Sequence, residues 1–501
     1  MFHWFLTRLE SLPGWRADVS ACGLGAISAV ALPPLHAVPI LLLTVPGLAA
    51  QIGGASGPVT AMRRGWWFGF GLNLFGLYWI TEAILIEAAR FWWLVPFAVP
   101  ALAAALAVFI ALSAGVARCA SAGWPRVLAL AGGWTLFDLA RQFVLTGFPW
   151  NPLGSVWALP GWPGDVMIQP AAFIGVHGLT LLTLLLAASP IAGRRAGVVA
   201  AIGLAAWAGF GAVRFWQTEQ PDTSQLVILV QGNVPQGQKW DRAMVVGITQ
   251  RYLRLTGDGV ARAGDQPAVV IWPETATPFL LDQDQAARDL IATAAGGNPI
   301  LVGGVRFGAD TRPLNSLFAM LPGGVIATIY DKWHLVPFGE YQPDWLPLGV
   351  QVVPGGGFRG GEGPRTLHIP GLPPVGPLIC YEAIFSGQIV DRQDRPAWLV
   401  NVTNDAWFGN STGPRQHLAA ARFRAAEEGL PLMRAANTGI SAAFDARGHE
   451  LVRLDMNEAG FQAVRLPSAL PETIFAQFGL LVPLFLSFTA LLISLRFRGR
   501  R

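Results

Sequence analysis

Of 501 residues, 52% are hydrophobic and only 13% are charged, about half the charged share of an ordinary soluble domain, so a purely soluble protein is excluded. The net charge is only +4 and the basic residues fall in short clusters between apolar runs, which excludes nucleic acid, a partner that calls for a continuous basic face. Three cysteines (Cys22, Cys119, Cys380) and seven dispersed histidines give neither a disulfide framework nor paired metal-ligand spacing, so no metal and no cofactor is expected.

The first stretch, Met1 to Trp15, has no small-residue cleavage site after a short apolar core, so the run that follows reads as a retained anchor. A helix needs about 20 apolar residues to cross a bilayer. Candidate runs lie near 17–33, 37–53, 65–86, 91–117, 125–141, 166–190 and 196–214, with an eighth near 474–496. The first two are short and interrupted by Pro33 and Pro34. With about eight transmembrane helices, Arg8, Arg16, Arg63, Arg64, Arg118, Arg126, Arg194, Arg195 and the C-terminal Arg496, Arg498, Arg500 and Arg501 all fall on one side. That side is the cytoplasmic one by the positive-inside rule. The expected organisation is a membrane domain over 1–216 with about seven transmembrane helices, an extracytoplasmic α/β domain over 217–472, and over 473–501 a last helix with a basic cytoplasmic tail.

The outer loop between the fifth and sixth runs carries Trp150, Trp157 and Trp162. These fit either an interfacial aromatic belt or the wall of an acyl-chain groove. Gln169 and His177 are polar at membrane depth, which marks a functional site or a hydrogen bond to a neighbouring helix.

From about Gln217 the pattern changes to short strands, Gly/Pro turns and ordinary charge density. Strands are expected at 226–230, 268–271, 299–305, 316–320, 325–329, 375–379 and 398–402, with helices between several of them, as in a layered α/β fold whose site lies at strand C-termini. Three of those termini carry Glu274, Lys332 and Cys380. A free thiol is only a few per cent thiolate at neutral pH, so a nucleophilic cysteine needs a base or a cation beside it. Glu274 can take the thiol proton. Lys332 can stabilise thiolate and oxyanion together with the Tyr381 N–H. A buried inert cysteine and a Cys380–His334 dyad are the competing readings of the same stretch.

Longer strings carry a resemblance. Lys332-x-His334-Leu-Val-Pro-Phe-Gly-Glu340-Tyr, Cys380-Tyr-Glu382, Asn401-Val-Thr-Asn404-Asp405-Ala-Trp407-Phe408-Gly409 and Arg434-Ala-Ala-Asn437-Thr438-Gly439-Ile440-Ser441 resemble the apolipoprotein N-acyltransferase family, a membrane-bound branch of the nitrilase superfamily. The membrane arrangement is similar too, so the resemblance covers nearly the whole chain. It implies a nitrilase-like α-β-β-α sandwich on the periplasmic side of a bacterial inner membrane, with both termini cytoplasmic. It further implies a two-step transfer: Cys380 takes an sn-1 acyl chain from a phospholipid donor, typically phosphatidylethanolamine. The chain then passes to the α-amino group of a diacylglyceryl apolipoprotein acceptor. Glu274 is the implied base and Lys332 the oxyanion partner, with Glu340 and Glu382 orienting Lys332 and the cysteine loop. Trp240, Asn315 and Tyr381 fall where the family has functionally important residues. The alternative is a membrane-tethered amidase that hydrolyses a soluble amide with the same three residues. A transporter or scaffold would need charges along the spans, where almost none stand beyond Asp138 and Arg141.

The segment from Tyr341 to Gly363 contains Trp345, Leu346, Leu348, Val350, Val352 and Val353, with Asp344 as its only charge before Arg359. It reads as a lid dipping into the lipid to gate acyl-chain entry, or as a packed loop over a sheet edge.

Overall fold

The computed structural model describes residues 2–217, 222–239, 241–343 and 357–496. Trp240, residues 344–356 of the expected lid, and Arg498, Arg500 and Arg501 lie outside them. The chain forms two compact units, one of Met1–Gln217, Ser411–Ala419 and Thr473–Arg501, the other of Thr218–Asn410 and Ala420–Glu472.

The first unit is helical. Helices run over Gly14–Ser28, Leu41–Gly53, Pro58–Gly76, Val95–Arg118, Trp124–Ala140, Ala171–Ala188, Arg194–Phe215 and Leu481–Arg496, one in each apolar run. Three helical stretches among the described residues, Ala88–Arg118, Ala171–Ala192 and Arg194–Phe215, are long and apolar enough to cross a membrane, and Val38–Gly53 and Leu481–Arg496 are shorter apolar helices. Several runs are thus shorter as helices than as sequence, because proline and glycine interrupt the backbone ladder. The first stops at Ser28, before the proline pair. The third stops at Gly76 and resumes as Ile80–Leu85, and the eighth is divided around Gly479. The helices Gly14–Ser28 and Pro58–Gly76 touch backbone to backbone. A Cβ added at Gly25 would stand 1.9 Å from the Phe68 carbonyl, and one at Gly71 would stand 2.1 Å from that of Cys22.

Several buried polar residues of this unit are bonded inside it. Asp138 pairs with Arg141 at 2.7 Å and accepts from His177 Nδ1 at 3.2 Å. Arg141 donates to the Trp150 carbonyl at 2.9 Å. Gln169 donates to the Asp165 carbonyl and accepts from Arg214. Trp150 and Trp157 bond to Gln416 and Thr183, and of the three loop tryptophans only Trp162 is exposed.

The second unit contains β1 (Leu226–Gln231), β2 (Ala268–Ile271), β3 (Ile300–Phe307), β4 (Pro313–Leu321), β5 (Val325–Asp331), β6 (Val375–Ile379), β7 (Trp398–Thr403), β8 (Leu432–Ala436), β9 (Ser441–Phe444), β10 (Glu450–Leu454) and β11 (Gly460–Arg465). They form a six-stranded sheet, β11-β1-β2-β3-β4-β5, and a five-stranded sheet, β10-β9-β8-β7-β6. The centres of both sheets are parallel, β1-β2-β3 and β6-β7-β8. Successive side chains of a strand point to opposite faces, and the core follows that period. Val227, Leu229, Val269 and Ile271 pack against Val375, Ile379, Val400 and Met433 of the other sheet. The alternate residues Ile228, Val230 and Val270 pack against Ile248, Tyr252 and Leu255 of the helix Val245–Ala263 and Ile291 of the helix Gln285–Ala294. Burying both faces explains why these strands are apolar throughout rather than alternating.

Candidate active site

The ends of β2, β5, β6 and β7 deliver the site. Glu274 follows β2 by three residues, Lys332 and Cys380 come directly after β5 and β6, and Asn404 follows β7. Glu274 is buried and fully engaged. Its Oε1 accepts from Lys332 Nζ at 3.2 Å and from Asn315 Nδ2 at 2.7 Å, and its Oε2 accepts from the Asn404 main-chain N–H at 2.8 Å. Glu340 completes the cluster: its Oε1 takes Lys332 Nζ at 2.9 Å and Asn315 Nδ2 at 3.0 Å, and its Oε2 takes the Val336 N–H at 2.8 Å. One ammonium between two carboxylates, bonded to both, is how a low-dielectric interior tolerates three charges.

Cys380 is buried and has φ +51°, a left-handed backbone that costs a non-glycine residue about 1–3 kcal/mol and persists only where its surroundings enforce it. Glu382 does the enforcing. Its Oε2 accepts the Ile379 N–H at 2.6 Å, just before the cysteine. Its Oε1 accepts the Trp333 N–H at 2.8 Å, and the Tyr330 hydroxyl donates to both oxygens at 3.1 Å. The cysteine turn is thereby tied to the two residues that flank the Asp331–Lys332 segment. Tyr381 is buried, its ring edge-on to Phe385 with centroids 5.3 Å apart, and His334 stacks on the same Phe385 at 3.6 Å.

The electrostatics separate the groups. Burial pushes Glu274 toward its neutral form, but Lys332, Lys239 and the Asn315 hydrogen bond outweigh it and hold the carboxyl below its ordinary range. Burial likewise opposes charge on Lys332, and Glu274, Glu340 and Cys380 overcome it, so the ammonium is held firmly. The Cys380 thiol moves upward through burial and the Glu274 charge, with Lys332 pulling the other way. Burial pushes Glu382 up to about 7 against the pull of the Ile379 and Trp333 N–H groups. The resting pair is a carboxylate beside an intact thiol, which suits a base that acts as the nucleophile attacks.

The structure brings Glu274, Lys332, Asn315 and Glu340 into one hydrogen-bonded cluster, with Cys380 near enough for the Glu274 and Lys332 charges to act on its thiol. Glu382 and Tyr381 belong to the adjoining cysteine turn. Three participants had no role assigned from the sequence, although Asn404 and Arg434 stand in its motif strings. Asn404 acts through its main-chain N–H. Arg434, on β8, pairs with Asp405 at 2.7 Å, and Asp405, whose charge acts on the Cys380 thiol, accepts from Thr403 at 3.0 Å. Lys239 donates to the Glu274 carbonyl at 3.1 Å and to the Thr275 hydroxyl. A signal for Lys239 existed: of 35 Lys and Arg residues only two, Lys239 and Lys332, are lysines.

Two family models match the chain, "Apolipoprotein N-acyltransferase N-terminal domain" over residues 24–189 and "Carbon-nitrogen hydrolase" over residues 226–473. The apolipoprotein N-acyltransferase of Rhodopseudomonas palustris is 40% identical over 93% of this chain and 92% of its own length. That of Bradyrhizobium diazoefficiens is 39% identical over 97% and 96%. Among solved structures, a CN-hydrolase superfamily protein from Xanthomonas campestris aligns with 49% of this chain and 91% of its own, at 20% identity and TM-score 0.37.

Proposed function

The chain belongs to the apolipoprotein N-acyltransferase family, and on that premise we propose that Cys380 carries the acyl chain from a phospholipid to an apolipoprotein N-terminus, with Glu274 as base in both halves. The protein is an N-acyltransferase built on a carbon–nitrogen hydrolase domain. In the first half, Glu274 takes the Cys380 proton as sulfur attacks the sn-1 ester carbonyl. Lys332 and the Tyr381 N–H stabilise the oxyanion. The C–O bond then breaks, the glycerol oxygen leaves with the proton from Glu274, and a thioester remains on Cys380. In the second half, the α-ammonium of the S-diacylglyceryl-cysteine gives one proton to Glu274, and its nitrogen attacks the thioester. The C–S bond breaks, the second nitrogen proton goes to the departing sulfur, an amide is formed, and Glu274 releases the ammonium proton to solvent, which restores the carboxylate. Glu340 and Asn315 hold Lys332 and Glu274 in register, and Glu382 holds the cysteine turn.

The observation that carries this reading is the buried Glu274–Lys332–Glu340 cluster, close enough for its charges to act on the Cys380 thiol, an arrangement that supports acyl transfer through sulfur. The match of residues 24–189 to the family's N-terminal domain favours transfer over hydrolysis of a soluble amide. Phosphatidylethanolamine is the proposed donor. The eight apolar runs are proposed as eight crossings, with both termini cytoplasmic and the catalytic domain periplasmic, because the arginine clusters then share one side. The test separates the two halves in time. Phosphatidylethanolamine vesicles with a labelled sn-1 chain are incubated with the protein and removed, and a diacylglyceryl-cysteine peptide is then added. The label should leave the protein and appear as an amide on the peptide; release as free fatty acid instead would favour the hydrolase.

A further inference from the structure

A chain that otherwise takes its positive charge from arginine keeps lysine at two positions, 239 and 332, and the ammonium of each bonds to Glu274 or its peptide. Lys332 meets the carboxylate from the end of β5. Lys239 comes off the short turn Gln236–Gln238 that follows β1, and is only 7% exposed. It reaches the main chain behind the carboxylate, donating to the Glu274 carbonyl at 3.1 Å and to the Thr275 hydroxyl.

That main chain is under constraint. Thr275 has φ +45°, a conformation that a β-branched residue adopts only when forced. On the far side, β3 presses against the same turn: a Cβ at Gly303 would lie 2.2 Å from the Pro273 carbonyl and 2.7 Å from the Glu274 Cα. The Ala276 N–H is bonded to the Gly303 carbonyl at 2.8 Å. The Glu274 turn is therefore pinned between Gly303 and Lys239, and rotation of its peptide would swing the carboxylate off the Asn404 N–H and Lys332.

We propose that Lys239 is a positioning residue for the Glu274 base, clamping the Glu274–Thr275 peptide and standing as a second cation behind the carboxylate. This rests on Glu274 being the base. Lysine suits the place because its ammonium is a compact donor with three protons, whereas a guanidinium is a wide planar fork. The charged and titratable groups around the pair are Lys332 after β5, Glu340 in the following loop, Cys380 after β6, and Tyr252 on the helix Val245–Ala263, which lines the same small pocket as Lys239. Of the cations, Lys239 is pushed down by burial to about 8, against the pull of Glu274 and Cys380, so it is charged at neutral pH.

The test is the rate of Cys380 thioester formation from labelled phosphatidylethanolamine vesicles, followed against pH in the full-length protein and in Lys239→Met and Lys239→Gln. Removing a cation raises the proton affinity of Glu274, so the acid limb of the rate profile should move about one pH unit upward in both variants. Lys239→Met, which loses the donor as well, should also fall about 10- to 100-fold at its best pH through misplacement of the base, and Lys239→Gln by less. An acid limb that stays put in either variant overturns the proposal, whatever happens to the rate. Should Lys239→Met fail to fold, Lys239→Gln, which keeps an N–H donor, decides by the same limb. A wild-type protein that forms no thioester, or Cys380→Ala that still does, would instead refute the assignment of Cys380 and Glu274 on which the proposal stands.

Discussion

The two sheets of the catalytic unit contribute unequally. The six-stranded sheet supplies Glu274, Asn315 and Lys332 from β2, β4 and β5, all charged or amide side chains locked by two or more hydrogen bonds. The five-stranded sheet supplies Cys380, the proposed nucleophile, on a left-handed turn after β6, plus one main-chain N–H after β7. The first sheet is an electrostatic frame, and the second presents the sulfur proposed to form and break bonds. They are joined at the site by the Asn404 N–H on Glu274 and by Glu382, which accepts from Trp333 and Tyr330 of one sheet and Ile379 of the other. The geometry of the reaction is thus set by how the sheets pack through their shared core of Val227, Leu229, Val400 and Val402.

Deleting the reactive atom should have the largest effect. Cys380→Ala is expected to abolish transfer, by more than about 10⁴-fold, and to leave the unfolding temperature close to wild type, since a small buried side chain is replaced by a smaller one. Breaking the frame comes next. Lys332→Met should lower the rate of thioester formation by about 10²–10³-fold, the scale of a lost oxyanion donor. Unlike Cys380→Ala it should also destabilise, because Glu274 and Glu340 would be left facing one another across Asn315. The contrast between the sheets fails if Lys332→Met keeps its stability.

Within the second sheet, Arg434 of β8 and Asp405, which follows β7, form a pair with both side chains fully buried. Removing one partner of such a pair costs about 3–5 kcal/mol, so Arg434→Met should unfold at clearly lower temperature in detergent. Its thioester rate per folded molecule should fall much less than in Lys332→Met.

The smallest effect is on the bridge between the sheets. Glu382 titrates at about 7 in the folded protein, whereas a carboxyl in an unfolded chain titrates near ~4.3. Folding therefore takes up a proton between those values. The stabilisation associated with that proton is complete below the unfolded value and is lost as pH rises through about 7. Glu382→Gln should flatten this part of the profile of unfolding temperature against pH; an unchanged slope from pH 4.5 to 7 would show that Glu382 is not its source.

Much of the frame was legible from residues alone, because a polar side chain directly after an apolar run marks a strand end facing a cleft, as at Lys332 and Cys380. The roles of Asn404 and Lys239 stayed hidden, although Asn404 stands in one of the motif strings. Asn404 works through an N–H that every residue but proline possesses, and Lys239 sits on a turn rather than a strand end. In the helical unit, hydropathy located each apolar run but not the breaks within the third and eighth, which depend on how helices pack near Gly76 and Gly479. Trp150 looked like a belt or groove residue and is instead an interior one, bonded to Gln416, a partner 266 residues away that no local pattern indicates.

The most direct measurement is the intact mass of the protein after exposure to phospholipid vesicles with no acceptor present. One added acyl group, removable by hydroxylamine, mapped to Cys380 and lacking in Glu274→Gln, is the expected result. An unmodified protein that nonetheless acylates the peptide when donor and acceptor are supplied together, or an adduct that persists in Cys380→Ala, would contradict transfer through this sulfur.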